Sequence, residues 1–243
     1  MLQQGRYVAD VAYYYGDDNN VTGLFYASQP QVPPTASYDY VNTPALTEQL
    51  TCSDGKITTP SGMTYQVLAL DANTQRMTVP ALRHIAAMVG KGMKLCGARP
   101  QAVLSLNEDK AEFDRLVAEI WDANRPNVKE NASIADALAA WGIAPDFYCD
   151  RMHSLRFVHR QTPQAEIYWV NNRSYQTRSL DARFRVTGMK PYLWHPETGE
   201  VSAVDYTPAA GYTQVSLQMN PGEAYFIVFR TESDPTAAEA VKV

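Results

Sequence analysis

YVADVAYYYG, Tyr7–Gly16, is the stretch on which the fold turns. Apart from Asp10, every residue from Tyr7 to Tyr15 is apolar or aromatic, and Gly16 ends the run. A short run of this kind without alternation reads as a strand buried on both faces, as in a parallel sheet covered by helices. TYQVLAL, Thr64–Leu70, ending at Asp71, and the shorter MKLC, Met93–Cys96, read the same way.

Helical spacing lies between and after these runs. Val79, Leu82, Ile85, Ala86 and Val89 fall on one helix face, with Gly90 and Gly92 as stop signals. Phe113, Leu116, Val117, Ile120 and Trp121 fall on another, and Ser105 with Glu108 has capping-box spacing just before it. A third helix is expected over Ile134–Trp141, ending at Gly142 with Pro145 beyond. Strand and helix in alternation predict an open, doubly wound parallel sheet. TCSDGKITTPSG, Thr51–Gly62, interrupts it with the Asp-Gly signal of a hairpin.

The second half changes period. Ser154–Arg160, Ala165–Asn171, Ala182–Thr187, Lys190–Trp194, Val201–Tyr206, Thr213–Leu217 and Ala224–Arg230 are short strand candidates with turn signals between them. That recurrence predicts an antiparallel β-sandwich. The expected domains are an α/β domain over 1–150 and a sandwich over 151–243, with Glu232–Val243 a frayed end. In MKPYLWHPETGEV, Met189–Val201, Pro196 presets a turn, Gly199 permits its closure and Glu197 is expected to be exposed.

Composition narrows the function. The chain has 243 residues, 45% hydrophobic and 19% charged, which suits a globular protein with a sizeable core. Its net charge is −5 and no basic run occurs, so nucleic acid is not an expected partner. No apolar run approaches the ~20 residues of a membrane span, and the N-terminus lacks the pattern of a signal peptide. Cys52, Cys96 and Cys149 are too few and too scattered for a disulfide framework or a zinc site, and they read as buried free thiols. No cofactor and no metal site is expected. The 11% aromatic content, 15 of these residues being Tyr, suits β-rich surfaces and carbohydrate contacts alike.

YYYGDDN at Tyr13–Asn19, YDYVN at Tyr38–Asn42, SDGKITTPSGMTYQVLAL and MTVPALRHIAAMVGKGMKLCGARP resemble the C-terminal portion of bacterial α-L-rhamnosidases of glycoside hydrolase family 106. FVHRQTPQAEIYWVNN, RFRVTGMKPYLWHPETG and NPGEAYFIVFR continue the resemblance in order, from Tyr7 to Arg230. It implies a flavodoxin/amidotransferase-like doubly wound domain, similar to the trimerisation domain of family 42 β-galactosidases and inactive here, followed by a β-sandwich. It further implies that the catalytic barrel and its two carboxylates lie upstream in the same polypeptide, and that the protein is periplasmic or secreted. No residue here matches the motifs of that acid and base.

The expected role is therefore a non-catalytic accessory region of an α-L-rhamnosidase-like enzyme, with the upstream catalytic domain as partner. Two alternatives are a carbohydrate-binding module and an oligomerisation domain, the related trimerisation domain suggesting self-association. Asp17 and Asp18, just past the first strand, stand where ligands dock on open α/β sheets, although neighbouring loop residues seldom point the same way. Trp169 alternates with Tyr168, so one of the two faces outward, at a domain seam or a weak sugar site. A stand-alone hydrolase using Cys96 is the remaining alternative. Its segment, Lys94–Ala98, lacks both outer glycines of a nucleophile elbow. Among the histidines, His159 with Arg160 is singled out as a hydrogen-bonding pair facing a neighbouring domain.

Overall fold

The computed structural model describes residues 1–19 and 30–231; the Glu232–Val243 tail lies outside them. The chain forms two compact units. One comprises residues 9–33 and 38–143, and the other 1–8, 34–37 and 144–243. The chain thus passes between units at Ile143/Ala144 rather than near Asp150, and the first eight residues go with the later unit. The run Tyr7–Tyr15 is therefore not one strand. Arg6–Tyr7 (β1) pairs antiparallel within the later unit, and Val11–Tyr14 (β2) opens the parallel sheet of the other.

In the α/β unit β2 is followed by Tyr38–Val41 (β3), Thr51–Ser53 (β4), Lys56–Thr58 (β5), Thr64–Tyr65 (β6), Val67–Leu70 (β7), Arg76–Met77 (β8), Lys94–Cys96 (β9), Ala102–Val103 (β10) and Val128–Lys129 (β11). Five of these form an all-parallel sheet in the order β11-β9-β7-β2-β3. Counted along the chain that order is 2-1-3-4-5, so the connection reverses direction between β2 and β7. Every residue of β2 and β7 is buried, as their unalternated sequences require. TYQVLAL is divided too: Thr64–Tyr65 belongs to a three-stranded antiparallel sheet with β4 and β5. Asp54 (φ 50°) and Gly55 (φ 77°) turn that hairpin, the paired positive φ values for which Asp-Gly is suited.

Among the described residues four helices accompany these strands: Thr43–Glu48 (α1), Val79–Gly90 (α2), Lys110–Val117 (α3) and Ile134–Ala140 (α4). The face expected to run to Trp121 does so by a change of winding, since α3 continues as a π-helical turn over Ala118–Asp122. Ser105 and Glu108 do not make a capping box. Asp109 caps α3, accepting from the amides of Ala111 and Glu112. The Glu108 carboxylate reaches the Val79 amide instead, at 3.1 Å, and so serves the N-terminus of α2.

The antiparallel unit adds Phe147–Tyr148 (β12), Leu155–Gln161 (β13), Ala165–Asn172 (β14), Arg178–Phe184 (β15), Lys190–Trp194 (β16), Val201–Ala203 (β17), Tyr206–Ala209 (β18), Tyr212–Met219 (β19) and Ala224–Arg230 (β20). One sheet has the order β1-β13-β14-β20-β16-β17 and the other β12-β15-β19-β18. The expected strand Val201–Tyr206 is in fact shared. Val201–Ala203 pairs with β16, while Tyr206 begins an edge strand of the second sheet. Both sheets feed one core: Tyr168, Val170, Ile227 and Phe229 from the first, and Phe147, Leu180, Phe184, Val215 and Leu217 from the second. Phe184 lies 5.1 Å from Phe147, 4.9 Å from Tyr168 and 5.3 Å from Phe229 between ring centroids, the tilted and edge-on geometry aromatic rings favour.

Candidate functional site

In the α/β unit the connection reverses at the carboxyl ends of β2 and β7, where two loops diverge and open α/β sheets bind their ligands. Asp17 and Asp18 lie in the first of these loops, and each is already engaged. Asp17 accepts the Thr43 hydroxyl at 2.7 Å. That hydroxyl has one proton to give, so the 2.8 Å contact between Tyr14 Oη and Thr43 Oγ1 is donated by the tyrosine. Asp18 accepts both the amide of Arg76, at 2.5 Å, and its Nε, at 2.8 Å. Its side chain is only 8% exposed. One carboxylate is thus directed to the start of α1 and the other to β8. From the second loop, buried Asp71 accepts the Tyr13 hydroxyl at 2.5 Å and the Asn73 amide at 2.7 Å. Burial and that bond to Asp71 push the Tyr13 phenol well above its usual range. Gly16 (φ 71°) lets the loops close: a Cβ there would stand 2.8 Å from Thr74 Oγ1.

Cys96 ends β9 with 1% of its surface exposed. Burial pushes its thiol up to about 12. At neutral pH it therefore stays protonated, whereas thiol chemistry needs the thiolate.

Trp169 belongs to the other unit. On β14 it stands opposite Val158 and Phe226, half-buried, on the face away from the shared core, and Tyr168 is the inward member of the pair. Clefts in this unit are open. One, about 600 Å³, is lined among others by Met189, Lys190, Tyr206, Pro208 and Tyr212. Two of about 360 Å³ lie over Ser179–Asp181 with Ser216–Gln218, and beside Gln164, Ile167, Trp194 and Arg230. Among the described residues Asp181 is the sole carboxylate lining any of the three, whereas glycoside hydrolysis by the usual route needs two, about 5–9.5 Å apart. Among the described residues no group of His, Cys, Asp and Glu could hold a metal ion, and no helix is long and apolar enough to cross a membrane.

Ionisable side chains do converge, but in the interior of the antiparallel unit. His159 places Nδ1 3.0 Å from each carboxylate oxygen of Asp146 and Nε2 2.9 Å from Glu166 Oε2. Tyr168 donates to Asp146 at 2.9 Å, and its ring stacks on the imidazole at 3.8 Å. Arg160, its sequence neighbour, donates instead to the carbonyls of Gln4 and Gly5. Sequence reading singled out His159 but not these partners. The hairpin register, which sets His159 across from Tyr168, was the signal available for Tyr168 and its neighbour Glu166. Asp146 arrives from a separate segment, and no local spacing announces it.

A family model described as alpha-L-rhamnosidase, that of glycoside hydrolase family 106, matches residues 1–208. A rhamnosidase from Novosphingobium sp. PP1Y is 38% identical and superposes with a TM-score of 0.89 over 96% of this chain, which is 23% of that one. A Formosa agariphila protein named "Putative beta-glucuronidase" is 33% identical over 240 residues, 96% of this chain and 20% of that protein. At the level of fold alone, a family 42 β-galactosidase from G. stearothermophilus has a TM-score of 0.52 at 9% identity, over 93% of this chain and 41% of that one. The chain therefore spans about a fifth to a quarter of the two sequence relatives, and it belongs to glycoside hydrolase family 106, the alpha-L-rhamnosidase family.

Proposed function

We infer that this chain is a non-catalytic accessory region of an α-L-rhamnosidase-like glycoside hydrolase. Its α/β unit is an amidotransferase-like doubly wound domain, and its antiparallel unit a β-sandwich. Together they support a catalytic barrel carried elsewhere on a longer polypeptide. The observation that carries the reading is the lopsided coverage: 96% of this chain is matched at 38% identity, yet that match takes up 23% of the relative. Three further points support it. The 2-1-3-4-5 strand order is that of flavodoxin-like sheets. Asp17 and Asp18 are directed apart by their hydrogen bonds. The thiol at the expected nucleophile position, Cys96, is buried and protonated.

The purified 243-residue chain is expected to leave an aryl α-L-rhamnoside intact, while a family protein carrying the additional regions turns it over. Hydrolysis by the chain alone, surviving removal of contaminating activity, would refute the reading. A second reading, sugar binding, is favoured by the cleft of about 600 Å³ with Tyr206 and Tyr212 in its lining. Calorimetry with rhamnose and rhamnogalacturonan oligosaccharides separates the two: heat that Tyr206→Ala abolishes supports binding.

A further inference from the structure

The convergence on His159 has a consequence apart from carbohydrate chemistry. Both ring nitrogens face carboxylate oxygens, Asp146 on one side and Glu166 on the other. A neutral imidazole has one N–H and one lone pair, so it would set that lone pair against a carboxylate. Only the imidazolium satisfies both contacts. The site is also dry: the side chains of His159 and Asp146 are 6% and 1% exposed, and losing a charge-assisted bond there costs more than in water.

What the chain of bonds fastens is specific. Asp146 belongs to the segment Ala144–Tyr148, which enters the antiparallel unit and ends in β12. Its amide donates to Thr35 at 2.9 Å, and its carbonyl accepts from Arg185 at 3.0 Å. Thr35 and Asp146 each lie within three residues of a point where the chain passes from one unit to the other. We propose that Asp146–His159–Glu166 is a proton-dependent latch, holding the Ala144–Tyr148 strap and Thr35 to the sheet while His159 carries both ring protons and releasing them when it loses one.

Among the described residues, charged and titratable groups face the imidazole site from three segments. Asp146 comes from the strap, Glu166 and Tyr168 from β14, and Arg185 follows β15 with Nη2 3.5 Å from Asp146. From the β1 side the contact is a backbone one, the Val8 amide donating to the His159 carbonyl at 2.9 Å. Burial by itself would lower the pKa of His159, but the hydrogen bonds and charges of Asp146 and Glu166 outweigh it and raise the value. With the folded value above the unfolded one of about 6.5, the latch contributes fully below that pH and is lost as pH rises through the higher folded value.

The test uses the full chain, labelled with ¹⁵N. Long-range proton–nitrogen correlation is expected to show both His159 nitrogens protonated at pH 6, with a midpoint above about 6.5. Across that midpoint the hydrogen-exchange protection factors of the Asp146 and Arg185 amides should fall by about tenfold or more. Amides in the middle of β14 should keep theirs. Asp146→Asn should lower the midpoint. His159→Gln, if it folds, should show protection that no longer varies with pH. A neutral imidazole at pH 6 in the unmodified chain, or protection that stays flat across the His159 titration, would overturn the proposal.

Discussion

The two units solve the problem of burying a sheet in different ways. In the α/β unit the parallel strands bury mainly small and aliphatic side chains, with Val11, Ala12, Val67, Leu68, Ala69 and Leu95 all at 0% exposure, and their rings, Tyr13 and Tyr14 among them, are confined to β2 and β3. Such a core leaves little room, and its loops depend on backbone fit: Gly16 against Thr74, and Gly97 against Leu70. In the antiparallel unit Phe147, Tyr168, Phe184 and Phe229, each fully buried, interlock instead, and the same interior encloses an imidazole between two carboxylates. Close packing of aliphatic side chains against backbone leaves little room for an added atom, whereas the ring of Tyr168 brings a hydroxyl that bonds Asp146. The first arrangement is therefore fragile to added volume and the second to lost rings and lost charge.

The largest expected effect tests the second half of that contrast. Phe184→Ala removes a ring that three others touch and should cost about 3–5 kcal/mol, read from denaturant midpoints. Trp169 and Trp194 report on this unit, and Trp121 and Trp141 on the other. The tryptophans of the antiparallel unit should therefore register the loss. If Trp121 and Trp141 shift equally, the units unfold as one and their difference in packing is not an energetic one.

Gly97→Ala addresses the α/β unit. Gly97 has φ 131°, and a Cβ there would lie 2.7 Å from the Leu70 Cβ and 3.1 Å from the Leu70 carbonyl oxygen. Backbone strain and crowding together should cost about 2–4 kcal/mol. A loss below about 0.5 kcal/mol would mean that the loop after β9 gives way freely, and that tight backbone fit is not what holds this unit.

How far the sequence revealed these features follows from the range of the interactions. VLAL was legible as a buried strand because continuous burial leaves its mark in every residue, and KLC through Leu95 and Cys96. AEIYWVN and AYFIVFR were legible as short runs recurring between turn signals. The split of Tyr7–Tyr15 was not, since Val8 and Ala9 are as apolar as the strand they precede and nothing local marks a crossing between units. Val128–Lys129, two residues long, is likewise below what any periodicity can show. Ser105 and Glu108 had the right spacing but the wrong partner, because Glu108 caps a helix 29 residues earlier. The His159 site was half legible. Glu166 and Tyr168 lie in the adjacent strand of a hairpin, but Asp146 is brought in by the tertiary fold.

Asp109→Ala should cost about 1 kcal/mol, as loss of an N-cap does. Two amides, those of Ala111 and Glu112, lose their acceptor together. The effect should be visible in the α/β unit's unfolding and should be recovered by Asp109→Ser. Failure of serine to recover it would show that the carboxylate acts by charge rather than by capping.

The smallest effect is expected one residue further on. Lys110 meets Asp114 at 2.6 Å, four residues ahead, with the two side chains 76% and 57% exposed. Water screens such a pair, and holding two long side chains in place costs entropy, so the attraction is worth at most about 0.5 kcal/mol. Its order is also the poorer one. The cation stands at the first turn, where the helix dipole is positive and disfavours it, and the anion lies nearer the C-terminus. The two terms oppose each other, so Lys110→Ala should leave the unfolding midpoint within about 0.3 kcal/mol of the parent at low salt, and 1 M salt should change it little. A loss above about 1 kcal/mol would mean that surface charge, rather than the Asp109 cap and the buried face of Phe113 and Leu116, holds α3 in place.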